Sequence, residues 1–314
     1  MTAESTAAIP RSATPQSGIF ALGTRYHHHL EFDLRSDATD VALRTALDAL
    51  REPKVTAGAS NLVIGFGPDL WRRISPGPAP ADLAPFTEVV GRDHTAPTTQ
   101  HDIWIWIHGS GADSVHDAAT MAAATLAPVA GLADEVACFV YHDSRDLTGF
   151  IDGTANPTPS EAPAEACVPA GRPGAGGSHA IIQRWVHDLD SFGLLEVPDQ
   201  EDVFGRRKLD SVAIPKPNRP ADAHISVAEI HDADGEEREI YRRSVPWGTV
   251  AERGLQFVGF SAERDRFDQM LAQIYGTEGR PLRDRLLDFS TAVTGSYYFA
   301  PALDELLALG IGTD

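Results

Sequence analysis

The chain has two cysteines, Cys138 and Cys167, among its 314 residues. Their spacing matches neither a CxxC redox pair nor a metal knuckle. That excludes a thiolate metal site and a disulfide framework, and leaves two idle thiols with nothing to suggest an oxidising compartment. No run of about eighteen apolar residues occurs, so no transmembrane helix is expected. Basic residues are scarce: 26 Lys and Arg stand against 45 Asp and Glu, a formal net charge of −19. No block of Lys or Arg is long enough to track phosphates, which excludes nucleic acid and anionic membrane surfaces as partners. The first eighteen residues, MTAESTAAIPRSATPQSG, lack the basic start, apolar stretch and twin arginine of export signals. Residues 1–18 therefore read as a disordered leader, and the protein as cytoplasmic.

Apolar residues make up 42% of the chain, enough for a sizeable core, and the length points to two domains. YHHHLEFDLR alternates like a strand, DATDVALRTALDALRE has helical spacing, SNLVIGFG is a short strand, and HDIWIWIHG alternates with Trp104 and Trp106 on one face. DSVHDAATMAAATLAPV then reads as a helix and DEVACFVYHD as a strand. The order β-α-β-β-α-β is that of a ferredoxin-like unit, an antiparallel sheet with helices on one side.

The second half repeats the pattern more loosely. Residues 158–177, rich in Pro, Ala and Gly, read as a long exposed loop. SHAIIQRWVHDL, HISVAEIHD, EIYRRSVPWG and GLQFVGFS read as strands, RDRFDQMLAQIY and LRDRLLDFSTAV as helices. The expected organisation is a leader over 1–18, an N-terminal ferredoxin-like domain over 19–145, and a C-terminal one over 146–314.

GFIDGTANP, residues 149–157, sets Asp152 between Gly149 and Gly153 and ends on Asn156-Pro157. Two readings stand: an aspartate bonding its own turn, or a carboxylate that the glycines bring close to a flat ligand. Downstream, HISVAEI places His224 at a strand start, and YRRSVPWG supplies Arg242, Arg243 and Ser244. In YHHHLEF, a strand puts His27 and His29 on one face and His28 on the other, so a metal site would need ligands from elsewhere. These histidines are expected at solvent or at an interface. Trp104, Trp106, Trp185, Trp247, Tyr297 and Tyr298 are expected to pack.

Taken together, GFIDGTANP, FGRRKLD, AHISV, YRRSVPWGTVAERGLQFVGF and SYYFAPALDEL resemble the dye-decolourising peroxidases, in their compact bacterial B-type or P-type form. The resemblance runs from about residue 18 to 310. Its most specific part is an aspartate followed by a histidine 72 residues later (224 minus 152) and an arginine 18 beyond that (242 minus 224). It implies a duplicated ferredoxin-like fold of the dimeric α+β barrel-like superfamily: two antiparallel four-stranded sheets with helices, and haem b held in the second half. It implies a peroxidase that uses hydrogen peroxide to oxidise phenolic or dye-like donors through a ferryl intermediate. Haem-iron release and non-enzymatic haem binding are the alternatives, and a closed homo-oligomer is expected. The C-terminal LALGIGTD resembles tails that direct some relatives into protein shells, making an encapsulating shell protein a further candidate partner.

Carried onto this sequence, the resemblance makes His224 the axial ligand of the haem iron, Asp152 the distal acid and Arg242 the distal arginine. Arg206 pairs with a haem propionate, and Gly153 and Thr154 adjoin the cofactor. Asp284, with Asp288 as rival, accepts the remaining ring N–H of the histidine. Ser244 stands where some compact members carry Asn, so a direct amide contact to bound peroxide is not implied there. The residue types suit the chemistry. A carboxylate can move a proton between the two peroxide oxygens, an arginine offers a fixed positive charge to the developing anion, and a carboxylate on the imidazole makes it a stronger donor to iron.

Overall fold

The computed structural model describes residues 13–50, 60–277 and 279–311. In chain order, the first half holds β1 (Tyr26–Leu34), α1 (Asp40–Asp48), β2 (Asn61–Phe66), α2 (Pro68–Ile74), a small hairpin of β3 (Val89–Val90) and β4 (Thr95–Ala96), β5 (Ile103–Gly109), α3 (Ala112–Leu126) and β6 (Ala130–Phe139). The second half holds α4 (Ala162–Ala166), β7 (Ser178–His187), α5 (Leu189–Gly193), α6 (Val197–Phe204), α7 (His224–Ala228), β8 (Tyr241–Arg242), β9 (Val245–Gly248), β10 (Arg253–Ser261), α8 (Asp265–Ile274), β11 (Ser290–Ala292), β12 (Ser296–Ala300) and α9 (Leu303–Ala308).

Alternation explains the first sheet. Every residue of β5 is buried, because its two faces meet two different cores. Ile103, Ile105 and Ile107 pack with Leu43 and Leu47 of α1 and with the apolar stripe of α3 (Val115, Ala118, Ala119, Ala122, Leu126), whose spacing is that of a helix face. Trp104 and Trp106 point the other way and join Val63, Ile182, Phe260 and Tyr298.

The two halves have one topology. In the first, the strands lie in the order β2-β5-β1-β6; in the second, β9-β10-β7-β12. Numbered within each half, both read second, third, first, fourth. The sheets meet at two narrow seams, Cys138 of β6 opposite Trp247 of β9 and Phe66 of β2 opposite Phe299 of β12. The strand order therefore closes into a ring through two seams of one residue pair each.

The interior of this ring is aromatic and contains histidine. The Trp104 indole N–H donates to His29 Nδ1 at 3.3 Å, that of Trp106 to His27 Nδ1 at 3.2 Å, and the Tyr298 hydroxyl to Glu31. His27, His29 and His108 are all buried. Burial, with the Arg243 guanidinium nearby, lowers the His27 pKa to about 3 and that of His108 to about 2, where the charge of His27 also contributes. Burial likewise holds His29 well below its usual value. The expectation of solvent-facing or interface histidines is thus corrected: the period of two was right, but the shared face looks into the closed ring. Among the described residues no cluster of three or more His, Cys, Asp or Glu could hold a metal ion.

Other expectations change with local physics. Of the leader, residues 1–12 lie outside the described residues, but Gln16 is buried. Its amide bonds both peptide groups of Ile64 (2.8 Å each) and the Pro301 carbonyl (3.0 Å), which straps the β2–β12 seam. Residues 158–177 are only in part the exposed loop expected: most are exposed, but they contain α4, bury Ala162, Ala166 and Val168, and bring Gly174 and Gly177 so close to the Phe299 ring that no side chain fits. HISVAEIHD is a single helical turn rather than a strand start, because Pro220 opens a turn that accepts bonds from Ala223 N–H (3.2 Å) and the Ser226 hydroxyl (3.0 Å). LRDRLLDFSTAV is a 3-10 turn over Arg285–Asp288 running into β11, not a helix. Both cysteines are free and buried, and burial pushes the Cys167 thiol up to about 12. No helix among the described residues is long and apolar enough to cross a membrane.

Candidate active site

On the outer face of the second sheet, away from the ring interior, lies a cavity of about 700 Å³. Trp185, Leu255 and Phe257 from β7 and β10 form one wall, and Met270, Leu271 and Ile274, at helical spacing on α8, form another. Asp152, Gly153, Thr154, Arg206, His224, Arg242, Ser244 and Asp284 all line this one cavity, although they span more than 130 positions of sequence (284 minus 152).

Asp152 sits at the end of a tight turn. Asp146 N–H donates to the Phe150 carbonyl (2.8 Å) and Gly149 N–H to the Asp146 carbonyl (2.9 Å), with Gly149 at φ 92°, a conformation that suits glycine. The Gly153 amide donates to Asp152 Oδ1 at 2.7 Å, so the local turn bond and the approach to the cavity occur together, and Oδ2 remains for chemistry. Burial raises the Asp152 carboxyl above its usual value. The Arg242 charge opposes that shift without cancelling it, and the Asp146 charge adds to it.

In the same cavity, His224 Nδ1 lies 2.6 Å from Asp284 Oδ2. Asp284 is buried, and its Oδ1 accepts from Leu286 N–H at 2.8 Å. A carboxylate there fixes the tautomer with the proton on Nδ1, leaving the Nε2 lone pair free. Asp288 instead pairs with Arg283 at 2.6 Å.

Family models for Dyp-type peroxidases match the chain twice, the N-terminal model over residues 16–139 and the C-terminal model over 143–305. The chain belongs to the Dyp-type peroxidase family. It is 40% identical over 258 residues to a dye-decolorizing peroxidase of Rhodococcus erythropolis, covering 81% of this chain and 75% of that protein. Among solved structures it is similar to the encapsulated DyP-type peroxidase of Mycobacterium smegmatis (TM-score 0.88, 31% identity, 94% of this chain and 97% of that one). It is also similar to a DypB variant of Rhodococcus jostii in complex with heme (TM-score 0.85, 31% identity, 94% and 97%).

For a Dyp-type peroxidase, the donor set of the cavity suits an iron porphyrin. The volume lies within the roughly 300–1,000 Å³ of cofactor sites, and His224 offers a free ring nitrogen. Four guanidinium groups line the cavity; Arg238 is ion-paired with Glu263 and Asp265, whereas Arg206, Arg219 and Arg242 are in no ion pair with a carboxylate among the described residues. Burial, with the neighbouring charges of Arg242 and Arg219, lowers the Arg206 pKa. Such a cationic group suits the carboxylates of a porphyrin better than it suits an apolar ligand.

Sequence reading missed several groups here. Arg219 is one; its only signal was that it is a cation in an acidic chain. His187 is another, with Nε2 3.2 Å from Asp146 Oδ1 and Nδ1 2.8 Å from the Ser290 hydroxyl, while Asp146 Oδ2 takes the Thr148 hydroxyl (2.6 Å) and amide (2.9 Å). This network ties the turn bearing Asp152 to β7 and β11. Asn156, read only as part of a turn, bonds the main chain of Arg242 twice. The Ser244 hydroxyl accepts from Val258 N–H at 3.3 Å, so it is anchored to β10.

Proposed function

We propose that the chain is a haem b peroxidase in which His224 is the axial ligand, Asp152 and Arg242 act on hydrogen peroxide, and phenolic or dye-like donors supply electrons singly. One observation carries this reading: a carboxylate-bonded imidazole with a free nitrogen lines the same cavity as an acid and an unpaired arginine. Bound haem would supply the iron at which the O–O bond is cleaved and would store the oxidising equivalents until donors discharge them by giving one electron each.

The protein's own groups handle charge and protons. Asp152, when ionised, takes a proton from one peroxide oxygen on Oδ2 and returns it to the other, the leaving oxygen. Gly153 N–H on Oδ1 keeps the carboxylate oriented for both transfers. Arg242 keeps its proton throughout and presents donors to the negative charge that builds on the departing oxygen. Asp284 holds the Nδ1 proton of His224, which strengthens Nε2 as a donor. Arg206, with Arg219, anchors the propionates, and Gly153 and Thr154 let the chain pass close to the porphyrin.

The test is the absorption spectrum of haem-loaded wild type, Asp152→Asn and His224→Ala before and after one equivalent of peroxide. Wild type responds within the mixing time, Asp152→Asn binds haem and responds slowly, and His224→Ala shows altered ligation. Haem binding with no peroxide response in wild type, or release of free protoporphyrin, removes the reading. An encapsulating shell, the setting of the Mycobacterium smegmatis neighbour, is a further candidate partner, but Leu309 and Ile311 of LALGIGTD are buried in the first-half core.

A further inference from the structure

Arg242 lies on β8, which is two residues long and registers with β10 through Tyr241 opposite Phe260 and Arg242 opposite Gly259. Arg243 N–H donates to the Val258 carbonyl at 2.8 Å. In an antiparallel pair, successive residues turn their peptide groups to opposite edges, so the N–H and C=O of Arg242 face away from β10. Asn156 meets them there. Its Oδ1 accepts from Arg242 N–H at 2.9 Å and its Nδ2 donates to the Arg242 carbonyl at 2.8 Å. One side-chain amide thus gives Arg242 the donor and acceptor that the next strand of a sheet would give.

The other end of this amide leads back to the acid. Asn156 N–H donates to the Gly153 carbonyl at 3.1 Å, and Gly153 N–H donates to Asp152 Oδ1 at 2.7 Å. Pro157 follows and restricts the backbone of Asn156, so the amide is aimed by a stiff segment. Gly153, at φ 76°, leaves the space beside Asn156 Nδ2, which a Cβ there would approach to 3.5 Å.

We propose that Asn156 is a positioning residue which, by standing in for a missing strand along Arg242, sets where that guanidinium lies relative to Asp152. This rests on the peroxidase reading above. Asn156 touches neither peroxide nor haem in this proposal; it acts through Arg242.

The experiment is a double-mutant cycle in the haem-loaded protein with Arg242→Leu, Asn156→Ala and the combined variant. Two quantities are read: the dissociation constant of sodium fluoride at the ferric iron, where under this reading the bound anion would accept from Arg242, and the rate of reaction with peroxide. Haem content and melting temperature are measured alongside. Losing two main-chain hydrogen bonds, Asn156→Ala is expected to weaken fluoride binding and slow the peroxide reaction by on the order of tenfold. In the Arg242→Leu background it is expected to change neither by more than about twofold. Unchanged fluoride binding in folded, haem-replete Asn156→Ala, or fully additive effects, overturns the proposal. If Asn156→Ala does not fold, Asn156→Asp, which keeps the acceptor for Arg242 N–H and loses the donor, is read against the same background. Unchanged fluoride binding and peroxide rate in Arg242→Leu alone would instead sink the assignment of Arg242, and the positioning role with it.

Discussion

Asp152 must be ionised to accept a proton, and three forces set when that happens. Burial pushes its carboxyl up, Arg242 pulls it down, and Asp146 pushes it up again. If Asp152 is the base, its raised pKa moves the acid limb of the peroxide reaction to higher pH than an ordinary aspartate would give. Removing the positive neighbour in Arg242→Leu raises the pKa further, so the acid limb of the rate profile moves to higher pH. Removing the negative neighbour in Asp146→Asn moves it to lower pH. Stopped-flow rates from pH 4 to 8 check both signs, and a limb that moves the same way in both variants would contradict the assignment. Elsewhere in the cavity, Asp284→Asn leaves His224 with a neutral partner and a weaker Nε2 donor. Haem affinity is expected to fall by roughly 10–100-fold, the usual effect of losing an outer partner, and the ferric/ferrous potential to rise. Haem titration and a redox titration measure the two.

At the scale of elements, β1 and β5 carry a liability at low pH. His27, His29 and His108 are held neutral by burial, so the unfolded chain takes up their protons first, from about pH 6.5 downward. Each depresses stability by about 1.4 kcal/mol per pH unit over that range. His27 and His108 stop contributing near pH 3 and pH 2, their folded values. Glu31 works the other way, since its carboxyl is raised by burial and regains a proton earlier when folded, but one group does not offset three. Urea midpoints are expected to fall steadily from pH 7 to pH 4, and to fall less in His29→Leu. A flat profile would show that the ring interior admits protons. These same strands show how much a sequence can disclose. The alternation of YHHHLEF and HDIWIWIHG was legible, because a period of two needs no partner to be seen. What lay on each face was not, because closure of the ring depends on seams of one residue pair each. Asp152 stood out from its turn alone, but that His224 and Arg242 would share a cavity with it was expected only through motif resemblance. The turn that places His224 depends on Pro220 and Ser226, and Asn156 and His187 owe their place to partners 86 and 103 residues away, a distance at which local pattern is silent.

For the whole molecule, the net charge of −19 sets which donors approach. Hydrogen peroxide is neutral and its reaction is expected to be insensitive to salt. An anionic dye is repelled over a Debye length of about 10 Å at 0.1 M salt, so its kcat/KM is expected to rise several-fold between 10 and 300 mM NaCl, while that of a cationic donor falls. Equal salt dependence for the two would show that a local patch, not the overall field, governs docking. β7 has a different consequence. It is bonded to β10 on one edge and to β12 and β11 on the other, and its side chains alternate between the ring interior and the cavity wall. None of those bonds needs the cofactor, so the wall is expected to form before the cofactor is bound. Amide protons along Ile181–Trp185 should exchange as slowly in the haem-free chain as in the loaded one, and maturation then amounts to filling a vessel, with no need for the chain to wrap around its guest.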